Sequence, residues 1–366
     1  MSTITEYGTL FPTSVVGSLP RSSFVRELVS GEQPADQQKA DQQKARAMDA
    51  AVTYIARLQE TAGLDVISDG EWRRASYIGV IAELSHGFEV GLSADGRPWT
   101  IVVDELAPRE TGFVAAEARF LKGVAAAKIK VTLPAPALLG ERMWDPQRSA
   151  AAYPTRRDFV EACVPILRKE AELLAREGVD VIQIDDPHLC LLVDEDVRRQ
   201  YDGLPGGAEG EAAFSVEMNN AVIAGIDNVK IAVHLCRRAG ARVRGEESHS
   251  GDYSAIIEHL NRLDVDHLTM EFAAPGVGEI DALRALREDI EIGLGCVTVE
   301  PGLIDAPEAI VERVERALAV VAPERVVLNP DCGFAPGSAA RVDIDEVYAK
   351  LKSMVAAAQI LRQRHG

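Results

Sequence analysis

The sequence predicts an α/β fold: a (β/α)8 TIM barrel with a β-hairpin inserted after its second strand. Three observations carry this. Short runs rich in Val and Ile alternate with long amphipathic segments about eight times along the 366 residues, the order expected of a parallel sheet closed on itself. The length lies within the roughly 200 to more than 400 residues of such barrels with insertions. Acidic and metal-ligating residues collect at the ends of the runs, where barrels carry their chemistry. An open doubly wound sheet is the alternative, but no G-x-G-x-x-G loop follows the first run. The whole chain, 1–366, reads as one domain.

The expected strands are 14–17, 65–68, 127–133, 180–185, 230–234, 267–271, 290–295 and 325–329, most of them ending in Gly, Pro or polar clusters. Between them, 36–62, 157–177, 211–224, 253–262, 278–286, 306–321 and 344–361 repeat apolar residues every three or four positions, the pattern of a helix with one buried face. The stretch 88–120 breaks the alternation. Within it, "SADGRPWTIVVDEL" sets Asp95-Gly96 between two polar–apolar runs, a hairpin signal. The polar stretch 237–252 reads as a long loop after the fifth run, a typical place for a site.

Composition narrows the functional classes. Hydrophobic residues make up 47% and charged residues 26%, as in an ordinary soluble globular protein. No run of 18 apolar residues suggests a membrane span, and the N-terminus lacks the pattern of a secretory signal. The net charge of −18 disfavours a nucleic-acid partner. The five cysteines, Cys163, Cys190, Cys236, Cys296 and Cys332, are odd in number and sparse. That suits a reduced, cytoplasmic protein, so any special cysteine serves a metal or catalysis.

The ends of the runs carry Ser18, Asp69 with Glu71, Thr132, Asp185 with Asp186, His234 with Cys236, Glu271, and Asp331 with Cys332. Singly, a strand-end Cys is more often a small buried hydrophobe. Together, His234, Cys236 and Cys332 suit Zn²⁺, with Glu271 as a fourth, oxygen ligand. His234 and Cys236 are two residues apart and face one side of an extended strand. Cys163, Cys190 and Cys296 read as core. Asp185 and Asp186 point to opposite sides, so one at most faces a pocket; Asp185 suits a substrate ammonium group, a turn or cap being the plainer role. Arg73 and Arg74 suit a carboxylate or phosphate, and the Ser18 amide and hydroxyl suit a carboxylate, against a simple cap before Pro20.

The pieces "PTSVVGSLPR", "DVISDGEWRR", "VTLPAP", "GVDVIQIDDP", "HLC", "TMEF" and "VVLNPDCGF" occur in this order from Pro12 to Phe334. Together they resemble the cobalamin-independent methionine synthase family, specifically its catalytic C-terminal barrel, as a short single-barrel member. The resemblance implies a zinc-dependent methyltransferase that acts on a thiol such as homocysteine, with methyltetrahydrofolate or another methyl donor. It implies a metal held by His234, Cys236, Glu271 and Cys332, and an amino acid end held by Ser18, Glu71 and Asp185; Arg73 joins the candidate substrate-binding residues on its own chemistry. Asp185 and Glu300 are the candidate catalytic acids. The partners expected are a small-molecule thiol and a methyl donor, with no nucleic acid and no membrane.

The sequence departs from the family at four places, two of them being a longer loop at 237–252 and Asp186 where the family commonly has Glu. Where the family's third-strand motif continues to a ring that stacks on the folate pterin, "VTLPAPALLGERMW" has Pro136, with Trp144 further on and Trp99 in the insertion. Where the family has an acid histidine near the seventh strand, "GLGCVTVEPG" has only Glu300. The missing ring and histidine favour a second reading: a zinc-dependent thiol alkyltransferase or lyase acting on a non-folate electrophile such as an epoxide. A third, a zinc-binding protein without activity, does not account for the acidic clamp.

Overall fold

The computed structural model describes residues 7–30, 37–94, 96–109, 112–238, 249–274, 279–335 and 342–366. The strands in chain order are β1 (Val66–Ile67), β2 (Ser85–Leu92), β3 (Pro98–Pro108), β4 (Lys128–Pro134), β5 (Val181–Asp185), β6 (Lys230–Leu235), β7 (His267–Glu271), β8 (Glu291–Val297) and β9 (Val326–Pro330). Seven of them form one parallel sheet, β1-β4-β5-β6-β7-β8-β9. Residues 12–14 close it into a ring. Thr13 bridges Leu328 of β9, and Ser14 bridges Val66 of β1, both in parallel. The fold is the TIM-barrel architecture that the alternation predicts.

The first expected strand, 14–17, is reduced to that bridge. The reason is local. The carbonyls of Val15, Val16 and Gly17 are taken by side chains, from Lys130 Nζ (2.9 Å), Gln183 Nε2 (3.0 Å) and the Ser68 hydroxyl (2.7 Å). Backbone groups satisfied in this way have no need of a ladder. The expected helix at 253–262 is likewise two short pieces, Tyr253–Ala255 and Ile257–Leu260. Ile256 leaves the helical region between them (φ −125°). The stretch around 278–286 forms only a 3-10 turn, Ile280–Ala285.

The insertion is an antiparallel hairpin of β2 and β3, followed by the helix Phe113–Val124. It begins slightly earlier than the pattern suggests. Asp95 of its turn lies outside the described residues, as do 239–248 of the long loop. The long helices behave as their periodicity requires. Arg156–Glu177 starts with a Thr155/Asp158 capping box and ends at Gly178 (φ 69°). One extended apolar core joins these helices to the outer faces of the strands. Among the described residues no helix is long and apolar enough to cross a membrane.

The barrel interior is polar. Lys130, Gln183, His267, Thr269 and Asn329 are all buried. Near the strand starts Lys230 pairs with Glu291, which also faces His267 Nδ1 at 3.4 Å. Burial pushes His267 down to about 4, so a neutral imidazole fills this floor.

Candidate metal and amino acid site

The strand register sets the site. Asp185 and His234 are paired on adjacent strands, and His234 is paired with Thr269. Paired residues of parallel neighbours face the same side, which brings three C-terminal ends to one rim. Cys332 follows β9 directly, two residues beyond Pro330.

His234, Cys236 and Cys332 come together: one ligand atom from each lies within 4.8 Å of the others, and all three residues are buried. The two sulfurs are 3.0 Å apart, and neither is in a disulfide. His234 Nδ1 lies 3.3 Å from the Thr269 carbonyl, while its Nε2 is buried with no hydrogen-bond partner. Burial pushes the imidazole down to about 3, so the ring is neutral. With Nδ1–H donating to Thr269, a lone pair remains on Nε2. A buried lone pair without a donor calls for a ligand, and an imidazole anchored through its other nitrogen is the usual arrangement at a metal. A His/Cys/Cys donor set fits a borderline-soft divalent cation such as Zn²⁺.

Glu271 is buried at the end of β7 but lies outside that group. Its Oε1 accepts the Arg237 amide (3.2 Å) and its own amide donates to the Tyr253 hydroxyl (3.0 Å). Asp331 orders the next turn: its carboxylate accepts the amides of Phe272, Ala273 and Ala274 at 2.9, 2.8 and 2.7 Å. A Cβ at Gly295 would meet Asp331 Oδ1 at 2.5 Å, so only glycine leaves room for this brace.

The acidic residues form the second half. Glu71 is buried and sits at φ 58°, a strained backbone of the kind that collects at functional sites. Its Oε1 accepts the Thr132 hydroxyl at 2.7 Å. A Cβ at Gly17 would meet that same oxygen at 2.9 Å. Asp185 Oδ1 accepts from Gln183 Nε2 at 2.8 Å. Burial, with Glu71 nearby, pushes Asp185 up to about 8, and burial raises Glu71 as well. Ser18 joins the two halves: its carbonyl accepts the Phe334 amide (3.0 Å), and its hydroxyl oxygen would lie 2.2 Å from a Cβ on Gly333. Asp186 turns away and caps the next helix, taking Leu189 N, the Ser215 hydroxyl and Asn219 Nδ2 at 2.8, 2.6 and 2.7 Å.

Other sequence candidates go elsewhere. Arg73 pairs with Asp49 (2.5 Å) and lies over the Phe120 ring (4.7 Å), on the helix side of the fold. Arg74 is buried against Glu117 (2.9 Å) and also donates to the Thr132 carbonyl (2.9 Å). Glu300 is half-buried on the turn after β8, its amide on Thr298 Oγ1 (3.1 Å) and its carbonyl on Lys350 Nζ (2.8 Å). None of these contacts joins it to the metal group. Trp144 donates to the Tyr153 carbonyl (2.9 Å), and Trp99 lies under Arg148 (5.3 Å). Pro136 opens the helix Pro136–Met143. Cys163, Cys190 and Cys296 are buried in the core.

Sequence reasoning passed over Tyr77, Arg237 and Tyr253. Tyr77 is half-buried; burial raises its hydroxyl, and Cys236, Asp185 and Cys332 add to that. It therefore borders both halves. Tyr77 and Tyr253 stand outside any strand end, so their positions carry no signal in the sequence.

The family profile described as "Cobalamin-independent synthase, Catalytic domain" matches residues 11–129 and 147–360. A methionine synthase of Saccharolobus islandicus (strain L.S.2.15 / Lassen #1) is 27% identical over 361 residues, covering 97% of this chain and 96% of that protein. The uncharacterized protein YxjH of Bacillus subtilis (strain 168) is 27% identical over 362 residues, covering 94% and 93%. Among solved structures, a B12-independent methionine synthase from Shewanella sp. W3-18-1, in complex with selenomethionine, superposes with a TM-score of 0.76 at 21% identity. That match covers 97% of this chain and 98% of that one.

Proposed function

Because the chain belongs to the cobalamin-independent synthase family, over its catalytic domain, we propose that it transfers a methyl group to the sulfur of homocysteine or a similar amino acid thiol, with zinc at His234, Cys236 and Cys332. The observation that carries this reading is the shared rim: a partnerless imidazole nitrogen and two thiols stand beside Ser18, Glu71 and Asp185. The methionine synthase among its relatives supports the acceptor. Zinc, when bound, supplies a deprotonated and oriented sulfur at neutral pH.

The chain's own residues do the rest. His234 offers Nε2 because Nδ1 is committed to Thr269. Glu271 is the fourth, oxygen donor. Asp185 and Glu71 take the substrate ammonium group, and Ser18 takes its carboxylate. Asp185, raised to about 8 by burial, is ionised by an arriving ammonium and gives up its proton on binding. Holding the amino acid end fixes the position of the sulfur, which turns the methyl transfer into an encounter of prepositioned partners. Glu300 is the proton donor to the leaving group of the methyl donor. Arg73, committed to Asp49, stays outside the clamp. The whole chain acts as one catalytic unit in the cytoplasm.

The donor is the point at which this chain parts from the folate pattern. Pro136 opens a helix where a stacking ring is expected, and aromatic stacking contributes roughly 0.5–1.5 kcal/mol beyond area burial. We expect poor turnover with polyglutamylated methyltetrahydrofolate and better turnover with a smaller donor. The test is zinc-loaded protein with saturating homocysteine, a panel of methyl donors, and the product identified by mass spectrometry. Methionine is the expected product. Glu300→Gln should lower turnover by about 10²- to 10⁴-fold with zinc and thiol binding intact. No methionine from any donor, with a thioether formed from an epoxide instead, replaces this reading by the alkyltransferase one.

A further inference from the structure

The residue after Cys236 is an arginine whose side chain is buried. Arg237 is 1% exposed, and its guanidinium lies over the Tyr253 ring at 4.9 Å. Its amide holds Glu271 Oε1 (3.2 Å), and Tyr253 holds the Glu271 amide (3.0 Å). The guanidinium also reaches Cys190, in the helix Pro187–Leu191 that follows β5. One cation, next in the chain to Cys236 of the metal group, thus ties together Tyr253, Glu271 at the end of β7 and the helix after β5.

Burying a cation is costly unless negative charge faces it. Cys190 does not provide that charge, because burial pushes its thiol up to about 12. Glu271 and Asp252 do. Two thiolates already cancel a divalent ion, and the Glu271 carboxylate leaves the group negative. A further thiolate would then bring negative charge into a nearly dry place, where like charges repel strongly. A cation sealed beside the group offsets that repulsion. A neutral thioether gains nothing from it.

We propose that Arg237 is a positioning residue that compensates the charge of a thiolate entering the metal group, so that the site holds a thiolate in preference to the neutral thioether formed from it. The methylated product then loses an attraction that the substrate had, which favours its release. This rests on the metal and thiol reading above.

The test is calorimetric titration of the zinc-loaded full chain with homocysteine and with methionine, which share an amino acid end and differ at sulfur. In Arg237→Met, homocysteine should bind about 30-fold more weakly and methionine less than about 3-fold more weakly. Arg237→Lys, which keeps the charge, should recover most of the loss. Arg237→Gln carries the same expectation as the Met variant if circular dichroism shows that the latter does not fold. Equal weakening of both ligands, or no recovery with Lys, reduces Arg237 to a packing role and overturns the inference. Wild-type protein that binds zinc but neither ligand overturns the thiol reading itself, and this inference with it.

Discussion

The two halves of the site are held in opposite ways. On the acidic side, the protein has already engaged the carboxylates: Glu71 Oε1 by Thr132 (2.7 Å) and Asp185 Oδ1 by Gln183 (2.8 Å). Arg74 and Lys130 lie buried near them. On the metal side, His234 Nε2 has no partner, and the two sulfurs face each other at 3.0 Å. The first half is preorganised by hydrogen bonds and needs its ligand only for function. The second keeps a donor atom that a ligand has to satisfy. Damage to the metal half should therefore be close to all-or-none, and damage to the acidic half graded.

The largest effect expected is at the metal. Cys332→Ser should lose nearly all its zinc, more than about 100-fold in affinity, beyond the range seen for residues that merely orient ligands. Its far-ultraviolet circular dichroism should stay that of the parent, because the core is extensive and does not depend on the ion as a zinc finger does. Metal analysis after gel filtration reads the first point. Full zinc occupancy in this variant would erase the contrast between the halves.

Asp185→Asn comes next. Zinc content should be unchanged while affinity for amino acid thiols falls by about 1–3 kcal/mol, the cost of losing a charged hydrogen-bond partner. The same variant has a pH signature. Folding raises this carboxyl from 3.8 to about 8, so its ionisation opposes folding. The penalty is absent below the unfolded value, grows as pH rises through the window, and is complete above the folded value. Ligand-free Asp185→Asn should thus be more stable than wild type near pH 8 by at least about 1 kcal/mol, and equal to it near pH 4. Thermal unfolding across that range reads it, and a constant difference would mean that Asp185 does not carry the buried charge.

The smallest effect is expected at Arg73. Its partners are Asp49, at 44% side-chain exposure, and the Phe120 ring. Arg73→Ala should change stability by less than about 1 kcal/mol and leave thiol affinity as it was. A clear loss of thiol binding would extend the acidic half outward past Arg74.

Much of this was legible in the chain itself. The runs 180–185, 230–234 and 267–271 coincide with β5, β6 and β7 to within a residue, because buried parallel strands are short apolar runs with abrupt ends. His234 and Cys236 could be paired by their spacing. Cys332 could join them only through the barrel, and it does. What could not be read follows from groups whose partners are distant in sequence. The run 14–17 has the composition of a strand, yet side chains from β4, β5 and residue 68 occupy its carbonyls. Arg73 and Glu71 are neighbours in one motif, yet they face opposite layers. Arg237, in a stretch with the composition of a loop, is buried.

The alternation of strands and helices, and with it the barrel, is written in the local pattern of the chain. The same local pattern shows which residue types stand at the C-terminal ends of the strands, since periodicity and strand-end position are local properties of the chain. Which atoms are engaged and which are left for a ligand depends on how the distant segments meet. His234 Nε2 is available because Thr269, paired beside it on β7, occupies Nδ1. Glu271 lies outside the sulfur–imidazole group, its Oε1 receiving the Arg237 amide. Asp185 is raised because the closed barrel removes its water and sets Glu71 nearby. Desolvation and pairing are sums over neighbours from many parts of the chain, and those neighbours exist only once the ring has closed.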